Sequence, residues 1–249
     1  MKQPTLPAFA LACATLLAGC AGANMENLTQ AGGSLFTAAT LSDTNVKTLS
    51  DQSCAEMDQK NTIAAADSTY AKRLANVMSG LGNSGLPLNA KVYVTKDINA
   101  WAMANGCVRV YSGLMDFLTD DEVRGVVGHE IGHVALGHTK AAMQVAYTTA
   151  AARGLLGSTS IASLTALSSS QIGELAETFV NAQFSQRQET AADDYSFDLL
   201  TKNGANRQAL ASAFRKMSQL DGGQSSMLST HPGSLERAKH IDARLAGGR

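Results

Sequence analysis

The stretch that decides the fold reads TDDEVRGVVGHEIGHVALGH and covers residues 119–138. Thr119 and Glu122 have the spacing of a capping box, in which each side chain accepts a hydrogen bond from the backbone N–H of the other residue. Asp120 and Asp121 occupy the first turn, where the helix dipole favours negative charge. The stretch therefore predicts a helix that begins after Thr119 and continues to about His138.

This predicted helix contains an unusual number of glycines. Each one weakens a helix by roughly 0.5 to 1 kcal/mol relative to alanine, so a cluster of them needs a compensating reason. We expect another element of the chain to approach the helix backbone closely where the side chains are missing. The glycines are Gly125, Gly128, Gly132 and Gly137.

The same helix carries the pentapeptide His129-Glu130-Ile131-Gly132-His133. Residues four apart lie one turn apart on a helix, so both imidazoles can reach a single metal ion. Glu130 lies beside that ion without ligating it, in the position of the general base of a metalloprotease. Catalytic zinc has three protein ligands and an open position for water. We therefore predict one zinc ion per chain, bound in part by His129 and His133.

His138 is the next histidine in the sequence, but its spacing argues against a ligand role. It lies nine residues after His129, about 180° away around a helix, so it should point to the opposite face. A longer zincin signature would need its third histidine at the position of Thr139. We expect His138 to act as a cation at the helix end or as a packing residue.

A second acidic motif, QETAAD, covers residues 188–193. It places Glu189 and Asp193 one turn apart on a predicted helix that continues to about residue 200. We expect Glu189 to be the third zinc ligand and Asp193 to accept the remaining ring proton of a ligand histidine. A solvated acidic helix face is the alternative, and Glu174 and Glu177 are rival ligands on the same predicted helix.

The N-terminus has the pattern of an exported lipoprotein. Lys2 precedes an apolar run at residues 6–18, which matches the core of a signal peptide and is too short to span a bilayer. Leu17-Ala18-Gly19-Cys20 resembles a lipobox, which predicts a signal peptide at residues 1–19 and lipid on Cys20. A lipidated flexible tether is then expected at residues 20–42 and a zinc metallopeptidase domain at residues 43–249. An ordinary signal peptide with a chance cysteine is the alternative.

The positions of the cysteines also fit an exported protein in an oxidising compartment. Cys13 would leave with the signal peptide and Cys20 would carry the lipid, so that Cys54 and Cys107 remain. Because the periplasm oxidises thiol pairs, we predict a disulfide between these two residues. Two buried free thiols are the alternative.

The composition describes a globular chain with little net charge. It has 20 basic and 21 acidic residues, so its net charge provides no electrostatic attraction for nucleic acid. The uncharged residues 154–173 have the length of a membrane span, but they are rich in serine and threonine, which favours a packed helix and a flexible loop. Residues 91–95 and 107–111 alternate polar and apolar positions and predict two half-buried or edge-like strands.

Three motifs in order carry a resemblance to a known family. They are His129 to His133, Glu189 to Asp193, and Ser229-Thr230-His231-Pro232 with Arg237. Over about residues 50 to 245 the chain resembles the gluzincin metallopeptidases grouped around HtpX, Oma and the CAAX prenyl proteases, and most of all their LoiP-like bacterial lipoproteins. Asn99-Ala100-Trp101 matches the family's segment before an edge strand. Asn105-Gly106-Cys107 departs from the usual Pro-Gly-Gly, so we expect the disulfide to fix the entry of that strand instead.

The resemblance implies a fold and further site residues. The fold class is α+β, a mainly helical zincin-like domain with a small antiparallel sheet beside the HExxH helix. Substrate would be added as a strand at the sheet edge, expected at residues 107–111. His231, held by Pro232, would donate to the developing oxyanion, or else be a loop histidine with its hydrogen bonds satisfied. Arg237 would stabilise that loop by pairing with an acid.

The sequence thus predicts a lipid-anchored zinc metalloendopeptidase in which Glu130 activates a zinc-bound water. Ala21 after Cys20 is typical of lipoproteins sorted to the outer membrane, so the domain would face the periplasm. The expected substrates are unfolded or misfolded envelope proteins, and envelope assembly or quality-control proteins are the expected partners. The alternative is a zinc-stabilised lipoprotein chaperone or assembly factor with little proteolytic turnover.

Overall fold

The computed structural model describes residues 41–82, 84–153, 167–220 and 225–247. The predicted signal peptide, Cys20 and most of the predicted tether lie outside these residues, as does most of the uncharged stretch 154–173. None of the helices in the described ranges combines the length and the apolar character needed to cross a membrane.

Helices dominate the described part of the chain, and three short strands lie among them. The chain order is α1 Asp43–Lys60, α2 Thr69–Ser79, β1 Asn89–Tyr93, β2 Ala100–Ala102, β3 Cys107–Tyr111, α3 Ser112–Phe117, α4 Asp120–Ala135, α5 His138–Ala152, α6 Ser169–Val180, α7 Gln186–Lys202, α8 Gln208–Met217, α9 Met227–Thr230 and α10 Ser234–Ala246. The mainly helical α+β class is confirmed.

The sheet has the order β1-β3-β2 and is mixed. A hairpin turn at Asn105 and Gly106 makes β2 antiparallel to β3, and an earlier reversal between β1 and β2 leaves β1 parallel to β3. The expectation of a wholly antiparallel sheet is therefore wrong for β1. The expectation that residues 107–111 form a half-buried or edge-like strand is also wrong, because β3 is central and buried throughout. The two edge strands of the sheet are β1 and β2, and both pair with β3.

The two faces of the sheet pack against different groups of helices. Val92, Val108 and Val110 point to one face and join the core formed with α2, α4, α7, α8 and α10. Tyr93 and Tyr111 point to the other face and join the core formed with α1, α5 and α6. Because successive side chains of a strand alternate between faces, three short strands serve both cores.

The predicted helix α4 begins as expected but ends early. Thr119 Oγ1 accepts from Glu122 N at 3.4 Å and Glu122 Oε2 accepts from Thr119 N at 2.8 Å, so the capping box is confirmed. The helix stops at Ala135, and Gly137 adopts a left-handed conformation with φ of 74°. The prediction that α4 continues to His138 is therefore wrong, because the glycine lets the chain turn.

The close approach predicted from the glycines is present at Gly125, Gly128 and Gly132, whereas a Cβ on Gly137 would meet no atom of the described residues within 4 Å. A Cβ on Gly132 would lie 2.9 Å from the carbonyl oxygen of Ala192 in α7. A Cβ on Gly125 would lie 3.1 Å from the Cα of Leu210 in α8. These two helices therefore contact α4 where it has no side chains.

One predicted helix is two helices in the structure. The chain leaves helical geometry after Val180 and begins α7 at Gln186. Ser185 N donates to Gln188 Oε1 at 3.0 Å and Ser185 Oγ accepts from Gln188 N at 3.4 Å, which forms a capping box. The single long helix expected up to residue 200 is wrong, because these local hydrogen bonds start a new helix.

The predicted disulfide is confirmed. It joins Cys54 of α1 to Cys107, the first residue of β3, with the two Cα atoms 6.5 Å apart and a sequence separation of 53. Closing a loop of that length contributes about 4 kcal/mol in the chain-entropy model. Buried Arg109 reinforces this junction, since it donates to both carboxylate oxygens of Asp58 in α1 at 2.7 and 2.9 Å.

The contact between α4 and α7 makes a testable prediction for Gly128. A Cβ there would lie 2.6 Å from Ser196 Oγ, which donates to the carbonyl oxygen of Gly125 at 2.8 Å. Gly128→Ala should lower the free energy of unfolding by about 1–3 kcal/mol, measured by urea denaturation. Gly173→Ala in α6 is the control, because its Cβ would meet chiefly the flexible ammonium end of Lys60. It should raise stability by up to about 1 kcal/mol, and equal losses in both variants would contradict the prediction.

Candidate metal centre

Four buried side chains converge where α4, α7 and the segment after α9 meet. They are His129, His133, Glu189 and His231, and one ligand atom of each lies within 4.8 Å of the others. His133 Nε2 is 3.0 Å from His129 Nε2 and 3.4 Å from Glu189 Oε1. The three residues predicted as ligands are thus brought together, although they come from two separate helices.

The approach of α4 to α7 explains why Glu189 reaches the histidines. Gly132 lets the backbone of α4 touch α7 at Ala192, one helical turn after Glu189. The Glu189 carboxylate then points along the surface of α4 on the face that carries His129 and His133. Glu174 and Glu177, the rival ligands, lie on α6, where their side chains are exposed, and they are not part of the cluster.

Asp193 lies one turn beyond Glu189 and contacts the other ring nitrogen of His129. The distance from His129 Nδ1 to Asp193 Oδ1 is 2.8 Å. Nε2 of His129 faces the cluster, and a proton on Nδ1 would be donated to this carboxylate. Nη2 of Arg237 also lies 3.0 Å from Nδ1. The contact expected between Asp193 and a ligand histidine is therefore present in the structure.

Arg237 of α10 is buried against both acids of α7. Its Nε and Nη2 donate to the two carboxylate oxygens of Asp193 at 2.8 and 2.6 Å, and its Nη1 lies 2.6 Å from Glu189 Oε2. The pairing of Arg237 with an acid was expected, but its partners belong to α7 rather than to the loop that holds His231. The guanidinium thus compensates the negative charge of the cluster.

Burial and charge set the protonation states of the ligand-type side chains. Burial lowers the pKa of His129 well below its usual value and that of His133 to about 4, so both rings are neutral near pH 7. Burial alone would raise the pKa of Glu189, but the neighbouring His231 and His133 outweigh it and lower that pKa. Two neutral imidazoles and one carboxylate are a donor set that fits zinc.

Glu130 differs from the other carboxylates of the site. Its side chain is buried, and its Oε1 has no hydrogen-bond partner in the described part of the chain. Burial raises the pKa of Glu130 to about 7. A carboxylate with a free oxygen and a pKa near neutrality can both take up and release a proton under physiological conditions.

His231 lies at the site, as the resemblance implied. Its Nδ1 is 3.0 Å from Glu189 Oε1 and 3.3 Å from His129 Nε2, which makes it a fourth ligand-type side chain of the cluster. Its Nε2 is 3.6 Å from Glu130 Oε1. The ring is therefore placed between the ligand cluster and the unpaired carboxylate.

Two residues at the site were missed or misplaced by the sequence reasoning. The ring of Phe184 stacks on His133 with centroids 3.9 Å apart and planes inclined by 28°. The Ser185 capping box, which starts a new helix beside it, is the signal that could have placed it. His138 does not point away from the site as expected, because its Nδ1 lies 3.0 Å from Nδ1 of His133. The left-handed turn at Gly137 explains the difference.

Comparison with known proteins agrees with the motifs. Residues 65–245 match the family model described as Peptidase family M48. The chain is 54% identical to Metalloprotease LoiP of Escherichia coli (strain K12) over 95% of each chain, and 49% identical to Metalloprotease YcaL of the same strain over the whole of each. It is 29% identical to the Beta-barrel assembly-enhancing protease of Yersinia pestis over 72% of this chain and 38% of that protein.

The buried ion pair of Arg237 makes a prediction for stability. Arg237→Met leaves the carboxylates of Asp193 and Glu189 without their cation, so the free energy of unfolding should fall by about 3–5 kcal/mol. Urea denaturation of the metal-free protein measures this change. The matched control is Arg215→Met, which removes an exposed ion pair with Asp242 and should cost less than about 1 kcal/mol. Similar losses in the two variants would contradict the prediction, because the buried ion pair would then stabilise the fold no more than the exposed one.

Proposed function

This chain belongs to peptidase family M48 and is a zinc-dependent metallopeptidase, and from that premise we propose how its residues divide the reaction between them. In the proposal His129, His133 and Glu189 hold one zinc ion. Zinc, when bound, supplies a Lewis acid that activates water and polarises the carbonyl of the scissile peptide bond. Support comes from the donor set, since three protein ligands of this kind are typical of catalytic rather than structural zinc sites.

The observation that carries the proposal is the state of Glu130. Its carboxylate is buried beside the ligands, keeps one oxygen without a partner among the described residues, and has its pKa raised by burial to about 7. Such a group can take the proton of the attacking water and return it to the departing amine. Glu130 is therefore the proposed general base and, after bond cleavage, the general acid.

His231 is the proposed donor to the oxyanion that develops on the carbonyl. Its Nε2 lies on the side of Glu130, 3.6 Å from Oε1, while the ring is buried. A donor held in place within a site that excludes water stabilises developing charge far more than it would in bulk solvent. Asp193 and Arg237 have the supporting role of orienting His129 and Glu189.

The proposed substrate is an extended polypeptide that pairs with β2. This strand lies at the edge of the sheet order, and α4 packs beside it. In the antiparallel pairing, the backbone N–H and C=O of Trp101 face Arg109 of β3. The N–H and C=O of the next residue, Ala102, therefore point away from β3, towards the open edge of the sheet. Backbone pairing of this kind is largely independent of side-chain identity, which suits an enzyme that acts on unfolded chains.

The cellular setting is also part of the proposal: a domain at residues 43–249 anchored by lipid on Cys20 to the outer membrane and facing the periplasm. The lipobox-like stretch supports it, and the Cys54–Cys107 disulfide fits an oxidising compartment. Unfolded or misfolded envelope proteins are the proposed substrates, with envelope assembly or quality-control proteins as partners. The name of the Yersinia pestis relative, which refers to β-barrel assembly, points in the same direction.

Removal of the general base should separate catalysis from metal binding. Glu130→Gln keeps the shape of the side chain but cannot accept a proton, so casein cleavage should fall by about 100-fold or more while the zinc content stays at one ion per chain. Peptide release and metal analysis of the same preparation measure both quantities.

The matched control for this experiment is Glu174→Gln, which changes an exposed glutamate of α6 and should leave cleavage unchanged. Equal cleavage by wild type and Glu130→Gln would reject the assigned role of Glu130. Full zinc content without cleavage in the wild type would instead favour the zinc-stabilised chaperone or assembly factor.

The anchor is tested by Cys20→Ser expressed in the bacterial envelope. Without a thiol to acylate, the variant should no longer incorporate labelled fatty acid, whereas the wild type should incorporate it. Casein cleavage per molecule should not change, since residue 20 is far from the ligands in sequence. A wild-type protein that incorporates no fatty acid, or a Cys20→Ser variant that incorporates as much as the wild type, would contradict lipid anchoring on Cys20.

A further inference from the structure

The two ring nitrogens of His133 have different neighbours. Nε2 faces the ligand cluster, at 3.0 Å from His129 Nε2 and 3.4 Å from Glu189 Oε1. Nδ1 faces away from the cluster and lies 3.0 Å from Nδ1 of His138. The side of the ring that the cluster does not use is therefore occupied by another histidine.

The contact between His133 and His138 can determine which nitrogen of His133 carries the proton. A histidine that binds a metal through Nε2 carries its proton on Nδ1, and the acceptor of that proton fixes the tautomer and the orientation of the ring. For His129 the acceptor is the carboxylate of Asp193 at 2.8 Å. For His133 the hydrogen-bond partner is an imidazole, which accepts at Nδ1 when its own proton is on Nε2.

The backbone places His138 specifically for this contact. A continuous helix would put residues 129 and 138 on opposite faces, but α4 ends at Ala135 and Gly137 turns the chain with a φ of 74°. His138 then opens α5 with its ring half-buried. Phe184 stacks on the face of the His133 ring, so His133 is held at its face by one residue and at its edge by another.

We propose that His138 is a positioning residue of the metal centre, whose Nδ1 accepts the Nδ1–H of His133 and so holds His133 in the tautomer that presents Nε2 to zinc. The inference rests on the ligand role of His133 in the proposed function. It replaces the interpretation of His138 as a helix-end cation or a packing residue.

Two substitutions separate the acceptor from the bulk of the side chain. His138→Phe keeps an aromatic ring but removes the acceptor, and the zinc affinity should fall by about 10–100-fold. His138→Asn keeps a hydrogen-bond acceptor close to the position of Nδ1 and should retain most of the affinity. Competition with a chromophoric chelator measures the affinities, and circular dichroism checks that each variant is folded.

The matched control is His240→Phe, which removes a half-buried histidine that contacts Asp194 and none of the ligands. It should bind zinc like the wild type. Unchanged affinity in His138→Phe, or equal losses in His138→Phe and His138→Asn, would overturn the inference. A wild-type protein that binds no zinc would instead contradict the proposed function, so the two failures are distinguishable.

A measurement on metal-free protein is independent of activity. Nitrogen-15 NMR of the imidazole rings should find His133 protonated on Nδ1 in the wild type, and the population should shift towards the Nε2–H tautomer in His138→Phe. If His138→Phe does not fold, the wild-type spectrum still decides, because a His133 ring protonated on Nε2 in metal-free wild type would overturn the inference.

Discussion

The site depends on the direct contact between the backbones of α4 and α7. At Gly132 a single Cβ would lie 2.9 Å from the carbonyl oxygen of Ala192, so the two helices approach more closely than ordinary side chains allow. That approach brings Glu189 to the histidines of α4 and Asp193 to the other side of His129. The helix stability lost at the glycines is offset by this packing.

The close packing buries several carboxylates. Two of them are paired with a cation, and a third has an oxygen without a partner among the described residues. Asp193 and Glu189 share the guanidinium of Arg237, which compensates their charge without access to water. Glu130 lies nearby with an oxygen that has no partner among the described residues, and burial raises its pKa to about 7. In the proposed function these carboxylates divide ligation, support and proton transfer between them according to what each one touches.

Short breaks between helices decide which further side chains face the ligands. The left-handed Gly137 ends α4 and brings His138 to His133. The capping box of Ser185 starts α7 directly after Phe184, whose ring stacks on His133. Neither residue belongs to a regular helix that carries a ligand. The position of each residue depends on where a helix ends or begins, which is set by a few local hydrogen bonds and one glycine.

The sequence by itself determined the helix at Thr119, the metal-binding pentapeptide, Glu189 with Asp193, and the Cys54–Cys107 pair. These follow from periodicity, capping and ligand spacing, which are local, and from the few cysteines left to pair. Only the tertiary structure decided that β3 is central, that β1 runs parallel to it, and that His138 turns back to the site. Strand order depends on contacts between residues distant in sequence, which no local pattern encodes. Gly137 ends α4 locally, but the direction that the chain takes after it is set by packing against the rest of the fold.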